Sequence, residues 1–283
     1  HRAVEILQRG TERAPGEHNR FEIRHGITII PLKSRTILPA THTNCIVVGE
    51  KDIYVIDPGS NDPDENAHLK RQLDNFRELG GELRAIVLTH SHHDHTDGIP
   101  FVQEHYGLPV WAHEATAEQI PYKVDRFIRE GDIIESAGDP PWRLLALHTP
   151  GHDPGHIAFF EETTGVLLAG DMVANPGTII VSRQYRGDMT EFLDSLERLM
   201  DVPAKALIPS HGHPVGNPRE ELKKHRDHRL WREEKIRSAY EEGATTLEAL
   251  LDTAYEDAPA ASRPWAEHAL RAHLHRLGFA LAE

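Results

Sequence analysis

The sequence is poor in cysteine, long apolar runs, aromatic residues and positive charge. Cys45 is the only cysteine among 283 residues, so no disulfide can form within this sequence and nothing favours an oxidising compartment. No apolar run approaches the roughly 20 residues that a membrane-spanning helix needs, and the first residues lack the charged-then-apolar pattern of a secretion signal. We therefore expect a soluble protein in the cytoplasm, with no membrane partner.

Negative charge exceeds positive charge. There are 31 Lys and Arg against 45 Asp and Glu, and the formal net charge is −14. Because an acidic surface repels polyphosphates at long range, the charge disfavours a general nucleic-acid binder and favours small or neutral substrates. Histidine, in contrast, is abundant, with 21 copies, and several of these are clustered in short segments.

Strand patterns alternate with helical patterns up to about residue 215. Short runs rich in β-branched residues predict strands at 27–32, 44–49, 53–56, 85–88, 109–112, 142–147, 157–160, 166–169 and 206–208. Apolar residues at helical spacing predict helices at 66–79, 101–106 and 191–200. This interleaving is typical of an α/β fold. We expect residues 1–25 to be a polar lead-in and residues 26–218 to form the catalytic domain.

The composition changes after Pro218. Helices are predicted over 219–242, over 245–255, where Thr245-Thr246-Leu247-Glu248 fits a capping box, and over 263–277, followed by an extended tail at 279–281. Three helices and a strand suggest a helix-turn-helix or winged-helix module in residues 219–283. We expect no metal ligand from this module, because it contains no second cluster of histidines and carboxylates at ligand spacing.

The segment 85–95 (AIVLTHSHHDH) carries the strongest chemical signal. It places His90, His92, Asp94 and His95 in a loop directly after a buried strand. The loop is needed because two histidines two positions apart in a strand would point to opposite faces. Imidazole nitrogens bind a borderline cation such as zinc, and the carboxylate adds an anionic ligand for a second ion. A cluster of surface histidines is the alternative interpretation.

Three further segments each place a candidate ligand after an apolar run. His152 lies in a Gly/Pro-rich loop, Asp171 ends the run Leu168-Ala-Gly-Asp171, and His211 follows the last predicted strand. Each signal is weak alone. Together with the first segment they predict one site at the edge of a sheet, and the number of candidate ligands exceeds what a single tetrahedral ion uses.

These motifs, together with Asp57 in an early strand turn, resemble those of the metallo-β-lactamase fold hydrolases in order and spacing. The family's motifs are an early Asp, HxHxDH, a His in a TPGH loop, a Gly-Asp carboxylate and a late His. The resemblance runs from about residue 25 to the C-terminus. It implies an αββα sandwich with metal ions in a cleft at the edge of the two sheets.

The resemblance also implies a role for each candidate ligand. One zinc ion would be held by His90, His92 and His152, the other by Asp94, His95 and His211, with Asp171 bridging them and Asp57 as a support. Asp94, His95 and Asp171 are the candidate catalytic residues. Two zinc ions are the expected cofactors, with iron or manganese as alternatives. Two such ions about 3.5–4 Å apart lower the pKa of a shared water and polarise the attacked bond, so no Ser or Cys nucleophile is needed.

The C-terminal part resembles one subgroup of that family. The segment His225-Arg-Asp-His-Arg229, the turn at 243–246 and the final helix are similar to β-lactamase-like hydrolases with an appended winged-helix domain, a group that includes a mitochondrial single-strand endoribonuclease. The late motif departs from the usual Pro-Gly-His-Gly, because this sequence reads Pro209-Ser-His-Gly-His213. His213 is therefore either a substitute for His211 or a neighbour of the site.

Other residues near the motifs receive simpler interpretations. Cys45 is interpreted as a small buried hydrophobe. Tyr185 and Thr178 are candidate substrate contacts, with a surface position as the alternative. His93 and His156 are interpreted as residues that either support the ligands or are exposed, and His42 as a loop residue. Trp231 and Trp265 are interpreted as core residues, and His225 and His228 as members of a solvated helix face.

Four functions stay open. Hydrolysis of a small ester, thioester, lactone or β-lactam is favoured by the acidic charge. Cleavage of single-stranded RNA is favoured by the subgroup resemblance and by a local basic bias, since residues 219–237 have a net charge of +3 whereas residues 1–218 have −12. An iron-dependent sulfur dioxygenase would use two His and one Asp on a single ion. A DNA-binding regulator would leave the ligand set unexplained.

Overall fold

Two β-sheets pack face to face in the structure, a computed structural model that describes residues 21–24, 26–137 and 141–282. The first sheet contains, in order, β1 (Phe21–Arg24), β2 (Ile27–Lys33), β3 (His42–Val48), β4 (Asp52–Ile56), β5 (Glu82–Val87), β6 (Val110–Ala112) and β7 (Arg126–Phe127). The second has the order β12-β11-β10-β9-β8, with β8 (Ile133–Ser136), β9 (Trp142–His148), β10 (Ile157–Glu161), β11 (Val166–Asn175) and β12 (Ala206–Gly212). Strands β4 to β7 are parallel, as are β11 and β12, and the other neighbours are antiparallel.

Helices cover the outer faces of both sheets. The first sheet is covered by α1 (Pro63–Glu78) and α3 (Ile99–Tyr106), and the second by α5 (Met189–Met200) and α6 (Pro218–Glu241). Two short helices, α2 (His93–Thr96) and α4 (Glu114–Ala117), lie in loops. The chain then continues into α7 (Leu247–Ala254) and α8 (Arg263–Leu277). The layers are therefore α, β, β, α, which confirms the predicted sandwich.

Three apolar layers hold the sandwich together. Strand β3 shows how they form, because its side chains alternate between the faces of the sheet. Ile46 and Val48 point into the layer between the two sheets, whereas Cys45 and Val47 point towards the outer helices. Cys45 is fully buried, which confirms its interpretation as a core residue, and burial raises the pKa of its thiol.

The predicted elements match the observed ones with a few informative differences. Helix α1 begins at Pro63, three residues before the prediction, because the Asp62 side chain accepts hydrogen bonds from the backbone N–H groups of Asp64 and Glu65. Strand β1 lies in the segment predicted as a lead-in and pairs with β2. The remainder of that predicted lead-in, residues 1–20 and 25, lies outside the described residues.

The C-terminal region is helical, as predicted. Helices α6, α7 and α8 share a small apolar cluster that includes Ile236, Leu250 and Leu270. The predicted extended tail, 279–281, does not form a strand, and no β-strand comes after β12 in residues 213–282. A wing would need such strands, so only the helical part of the module is confirmed. No helix within the described ranges is long and apolar enough to cross a membrane.

Candidate metal centre

All seven predicted ligands meet at one edge of the sandwich. His90 and His92 follow β5, Asp94 and His95 lie in the short helix α2, and His152 lies in the loop after β9. Asp171, predicted at a strand end, and His211, predicted after a strand, lie within β11 and β12, because both strands continue beyond their apolar runs. The pairing of these two strands shifts register on both sides of Gly170. This irregularity, at a residue with φ of +55°, is compatible with an inward-facing Asp171.

One group of ligands consists of three imidazoles. The Nδ1 atom of His92 lies 3.0 Å from His90 Nε2 and 2.9 Å from His152 Nε2. The Nδ1 of His152 donates to the carbonyl of Ile180 at 2.8 Å, so its Nε2 carries a lone pair towards the group. Burial lowers the pKa of His92 to about 4 and that of His90 well below its usual value. Both rings are therefore neutral at pH 7 and able to bind a metal ion.

The second group combines a carboxylate with two imidazoles. The Nε2 atom of His211 lies 3.4 Å from Asp94 Oδ2, and that of His95 lies 3.8 Å from Asp94 Oδ1. The opposite nitrogen of each ring is fixed by a hydrogen bond: His211 Nδ1 donates to the His42 carbonyl at 3.0 Å and His95 Nδ1 to Asp57 at 2.8 Å. Both Nε2 atoms therefore face the site, which is the arrangement that metal-binding histidines have.

Asp171 lies between the two groups. Its Oδ2 is 3.4 Å from His152 Nε2, and its Oδ1 is 3.6 Å from His95 Nε2 and 3.4 Å from His211 Nε2. Each oxygen of this carboxylate thus faces a different ligand group. Such a residue can bridge two ions.

The unpartnered atoms of the site fit a divalent cation. His95 Nε2 and Asp171 Oδ1 are buried and have no hydrogen-bond partner. Burial opposes a charge on His95, but the carboxylates of Asp94, Asp171 and Asp57 raise its pKa to about 10. Burial also opposes a charge on His211, and the facing Asp171 carboxylate raises that pKa. The facing carboxylates therefore favour the protonated form of both rings when no metal ion is bound, and metal binding would release these protons.

The model of the metallo-beta-lactamase superfamily matches residues 38–211. The chain belongs to this superfamily.

Among curated superfamily relatives, the hydroxyacylglutathione hydrolase of Bdellovibrio bacteriovorus is 31% identical over 54% of this chain, and the match spans only 55% of that enzyme's length. The Drosophila melanogaster homolog of beta-lactamase-like protein 2 is 26% identical over 86% of this chain and 84% of its own. The crystal structure of a metallo-beta-lactamase family protein from Thermus thermophilus superposes with a TM-score of 0.74 at 25% identity, covering 91% of this chain and 94% of that one.

His156 contacts the backbone of the residue that lies between the two ligand groups. Its buried ring accepts a hydrogen bond from the backbone N–H of Asp171 at 2.9 Å through Nε2, while Nδ1 lies 2.8 Å from Thr149 Oγ1. A Cβ on residue 170 would clash with this Nε2 atom, so the His156 ring can occupy this position only because residue 170 is glycine. The sequence left open whether His156 is exposed or supporting, and the structure gives it the supporting position.

Asp153 is a buried residue that the sequence analysis missed. It accepts hydrogen bonds from the Ser91 hydroxyl and, at 2.7 Å, from the backbone N–H of Gly155. These bonds connect the loop that carries His90 and His92 to the loop that carries His152. The Asp-Pro-Gly sequence directly after His152 was the available signal, because such residues form local turns with side-chain hydrogen bonds.

The remaining residues near the motifs lie outside the ligand groups. His93 and His213 are exposed, so His211 keeps the position of the late histidine. His42 contributes its backbone carbonyl. Thr178 accepts a hydrogen bond from Arg229 at 2.6 Å, which fixes its loop to helix α6. Tyr185 is 46% exposed and its ring lies beside that of His92.

Two interpretations of the C-terminal region were wrong. His225 is buried and not solvated, because helix α6 lies against the second sheet. The Nε2 atom of His225 lies 3.2 Å from the Ala174 carbonyl oxygen. Trp231 is 47% exposed and Trp265 is only partly buried, so neither is a core residue. None of the ligand groups found among the described residues includes a residue of 219–282.

Proposed function

We propose that the protein is a dinuclear metal-dependent hydrolase of small acyl substrates, with thioesters first and with esters, lactones and β-lactams as further candidates. The observation that carries the proposal is the Asp171 carboxylate, whose two oxygens face two complete ligand groups. Relatives named hydroxyacylglutathione hydrolase support thioesters among the acyl classes. Zinc suits the donor set of imidazole and carboxylate best, with iron and manganese as alternatives.

The position of each residue indicates its role in the proposed reaction. Divalent ions bound here would supply an activated water and polarise the carbonyl of the substrate. One ion would be held by His90, His92 and His152, the other by Asp94, His95 and His211, with Asp171 shared. Asp57 keeps the His95 ring oriented, because its Oδ2 accepts from His95 and from the Thr89 hydroxyl at 2.6 Å while its Oδ1 accepts from the Thr89 N–H at 2.8 Å. Asp94, His95 and Asp171 are the candidate catalytic residues, because they would hold the ions that activate the water.

The charge around α6 argues against single-stranded RNA as the substrate. The basic bias of residues 219–237 would favour RNA only if the cations were free to contact phosphates. In the structure, each Lys and Arg side chain of residues 219–237 either lies within ion-pair distance of a carboxylate or is buried. The partners are Asp201, Asp227, Glu221, Glu197, Asp257, Glu256 and Glu234, and Arg229 is the buried residue.

The proposal is tested by metal analysis and a substrate panel. We expect close to two metal ions per chain and turnover of thioesters that does not depend strongly on ionic strength. Asp171→Ala should abolish turnover and reduce the metal content, whereas His93→Ala, a change at an exposed histidine of the same motif, should leave both unchanged. One iron per chain would instead support the sulfur dioxygenase. Salt-sensitive cleavage of a fluorescent single-stranded RNA without acyl turnover would overturn the choice of substrate.

A further inference from the structure

Three rings form a continuous row from the metal centre to the C-terminal helix α8. The Tyr185 ring lies edge-on to His92, with 6.2 Å between centroids, and is stacked on His268 at 5.8 Å. The His268 ring in turn lies 5.7 Å from that of Trp265. We call Tyr185, His268 and Trp265 the aromatic wall. These separations are those of interacting aromatic pairs, so the wall is a packed unit that begins at a metal ligand.

The aromatic wall is fixed by its surroundings and still reaches solvent. Tyr185 ends the short 3₁₀ helix Arg183–Tyr185, which the left-handed residue Arg186 terminates at φ of 63°. The Ser182 hydroxyl lies 2.8 Å from His268 Nδ1, which orients that ring. Tyr185 keeps 46% of its surface exposed, although it contacts two other rings. A preorganised, half-exposed ring beside a metal ligand is placed to contact a substrate bound there.

The cations next to the aromatic wall are neutralised. Arg183 lies 2.9 Å from Asp188, and Arg186 lies 3.5 Å from Glu118. On α8, Arg271 lies 2.9 Å from Glu267. Each of these positive charges close to the rings is thus paired with a carboxylate. Such surroundings favour an uncharged group against the rings over a carboxylate or phosphate.

We propose that the aromatic wall binds the acyl group of the substrate and selects flat, uncharged, aromatic acyl groups over saturated ones of the same size. The proposal rests on the proposed function in one respect, because the reacting carbonyl is placed at the metal centre. It makes Tyr185 a specificity-determining residue. It also gives the C-terminal region a part in substrate choice, since His268, on which Tyr185 is stacked, lies on α8.

A matched pair of substrates tests the selection. The benzoyl and cyclohexanecarbonyl thioesters of N-acetylcysteamine differ in the flatness and π character of the ring. We expect kcat/KM to favour the benzoyl compound, and we expect Tyr185→Leu to reduce this preference roughly 3- to 10-fold, the value of one ring contact. Tyr185→Phe should keep the preference because it keeps the ring. Trp231→Leu, a change at an exposed tryptophan on α6 outside the aromatic wall, should also keep it.

A binding measurement separates this proposal from the proposed function. The dissociation constants of benzoate and cyclohexanecarboxylate are measured by calorimetry on the metal-loaded protein, where no turnover is needed. Tighter binding of benzoate that is lost in Tyr185→Leu, without cleavage of any thioester, would support the aromatic wall and refute thioester hydrolysis. If the protein cleaves both thioesters with equal kcat/KM, and Tyr185→Leu leaves this ratio unchanged, the role of the aromatic wall is refuted and the proposed hydrolase function is not.

Discussion

Replacement of His156 by alanine tests how the metal centre is supported. The His156 ring is fully buried and lies between the backbone N–H of Asp171 and the Thr149 hydroxyl. Burial lowers the pKa of His156 well below its usual value, so the ring is neutral and its Nε2 can accept the hydrogen bond. Alanine removes the acceptor and opens a cavity beside Gly170. We expect two costs, one in stability and one in metal affinity.

Both costs can be estimated. A buried N–H group without a partner costs about 1–3 kcal/mol. A cavity of roughly 50–100 Å³ adds about 1–2 kcal/mol. We therefore expect the free energy of unfolding of the metal-free protein to fall by about 2–5 kcal/mol. Metal affinity should fall by roughly 10- to 100-fold, the usual effect of losing a group that orients a ligand, because Asp171 is then less firmly positioned between the ions.

The measurements are urea unfolding of the metal-free protein and competition for metal against a chelator. His156→Gln is the informative control, because its side-chain oxygen can accept the hydrogen bond from Asp171 and should recover most of the metal affinity. His93→Ala controls for the loss of a histidine and should change neither quantity. If His156→Ala unfolds at the wild-type urea concentration and binds both ions with wild-type affinity, the supporting role assigned to His156 is wrong.

Three further predictions concern the same centre. Asp57→Asn should leave the backbone unchanged, because asparagine tolerates the φ of 51° at this position. The change should weaken binding of one ion roughly 10- to 100-fold, because His95 loses its anionic partner. A calorimetric titration that shows two sites of equal affinity would contradict this prediction. In the metal-free protein the pKa of His95 is raised to about 10, above the unfolded value, so its contribution to stability is complete below about pH 6.5 and is lost as the pH rises towards 10. Urea unfolding from pH 7 to 10 should show this loss for the metal-free protein alone, and a flat profile would refute it. Arg229→Lys should reduce metal affinity about 10-fold, because the guanidinium donates to Thr178 and to the Ile179 carbonyl, whereas Lys224→Met at an exposed pair should have no effect in the same chelator assay.

The ligands could be predicted from sequence because each lies in a short segment next to an apolar run. Six consecutive positions contain four of the candidate ligands, His90, His92, Asp94 and His95. Because they follow a strand and do not lie within it, their side chains are free to converge. The support of the ligands could not be predicted in the same way. The contact between His156 and the Asp171 N–H depends on the left-handed conformation of Gly170, which no hydrophobic pattern encodes.

The interior of α6 was predicted wrongly for a different reason. The buried face of a helix is predicted from its apolar residues, and this helix buries His225 and Arg229 as well as Leu222 and Ile236. Burial lowers the pKa of Arg229 to about 10, and the ion is retained because backbone and hydroxyl oxygens accept its hydrogen bonds. A charged residue that binds carbonyl groups inside the protein has the same pattern in the sequence as a charged residue on a solvated face. Only the position of the sheet distinguishes the two.

These inward-facing residues connect the C-terminal region to the metal centre. His225 contacts the Ala174 carbonyl, Arg229 holds the Ile179 carbonyl, and His268 lies against Ser182. All three contacts fall on residues 174–182, the segment that leads from Asp171 to Tyr185. The carbonyl of Ile180 within it accepts the hydrogen bond that orients His152. Without α6 the buried carbonyl groups of Ala174 and Ile179 would lose these donors, at about 1–3 kcal/mol each. Contacts across the boundary predicted at residue 218 therefore hold the segment whose Ile180 carbonyl orients His152.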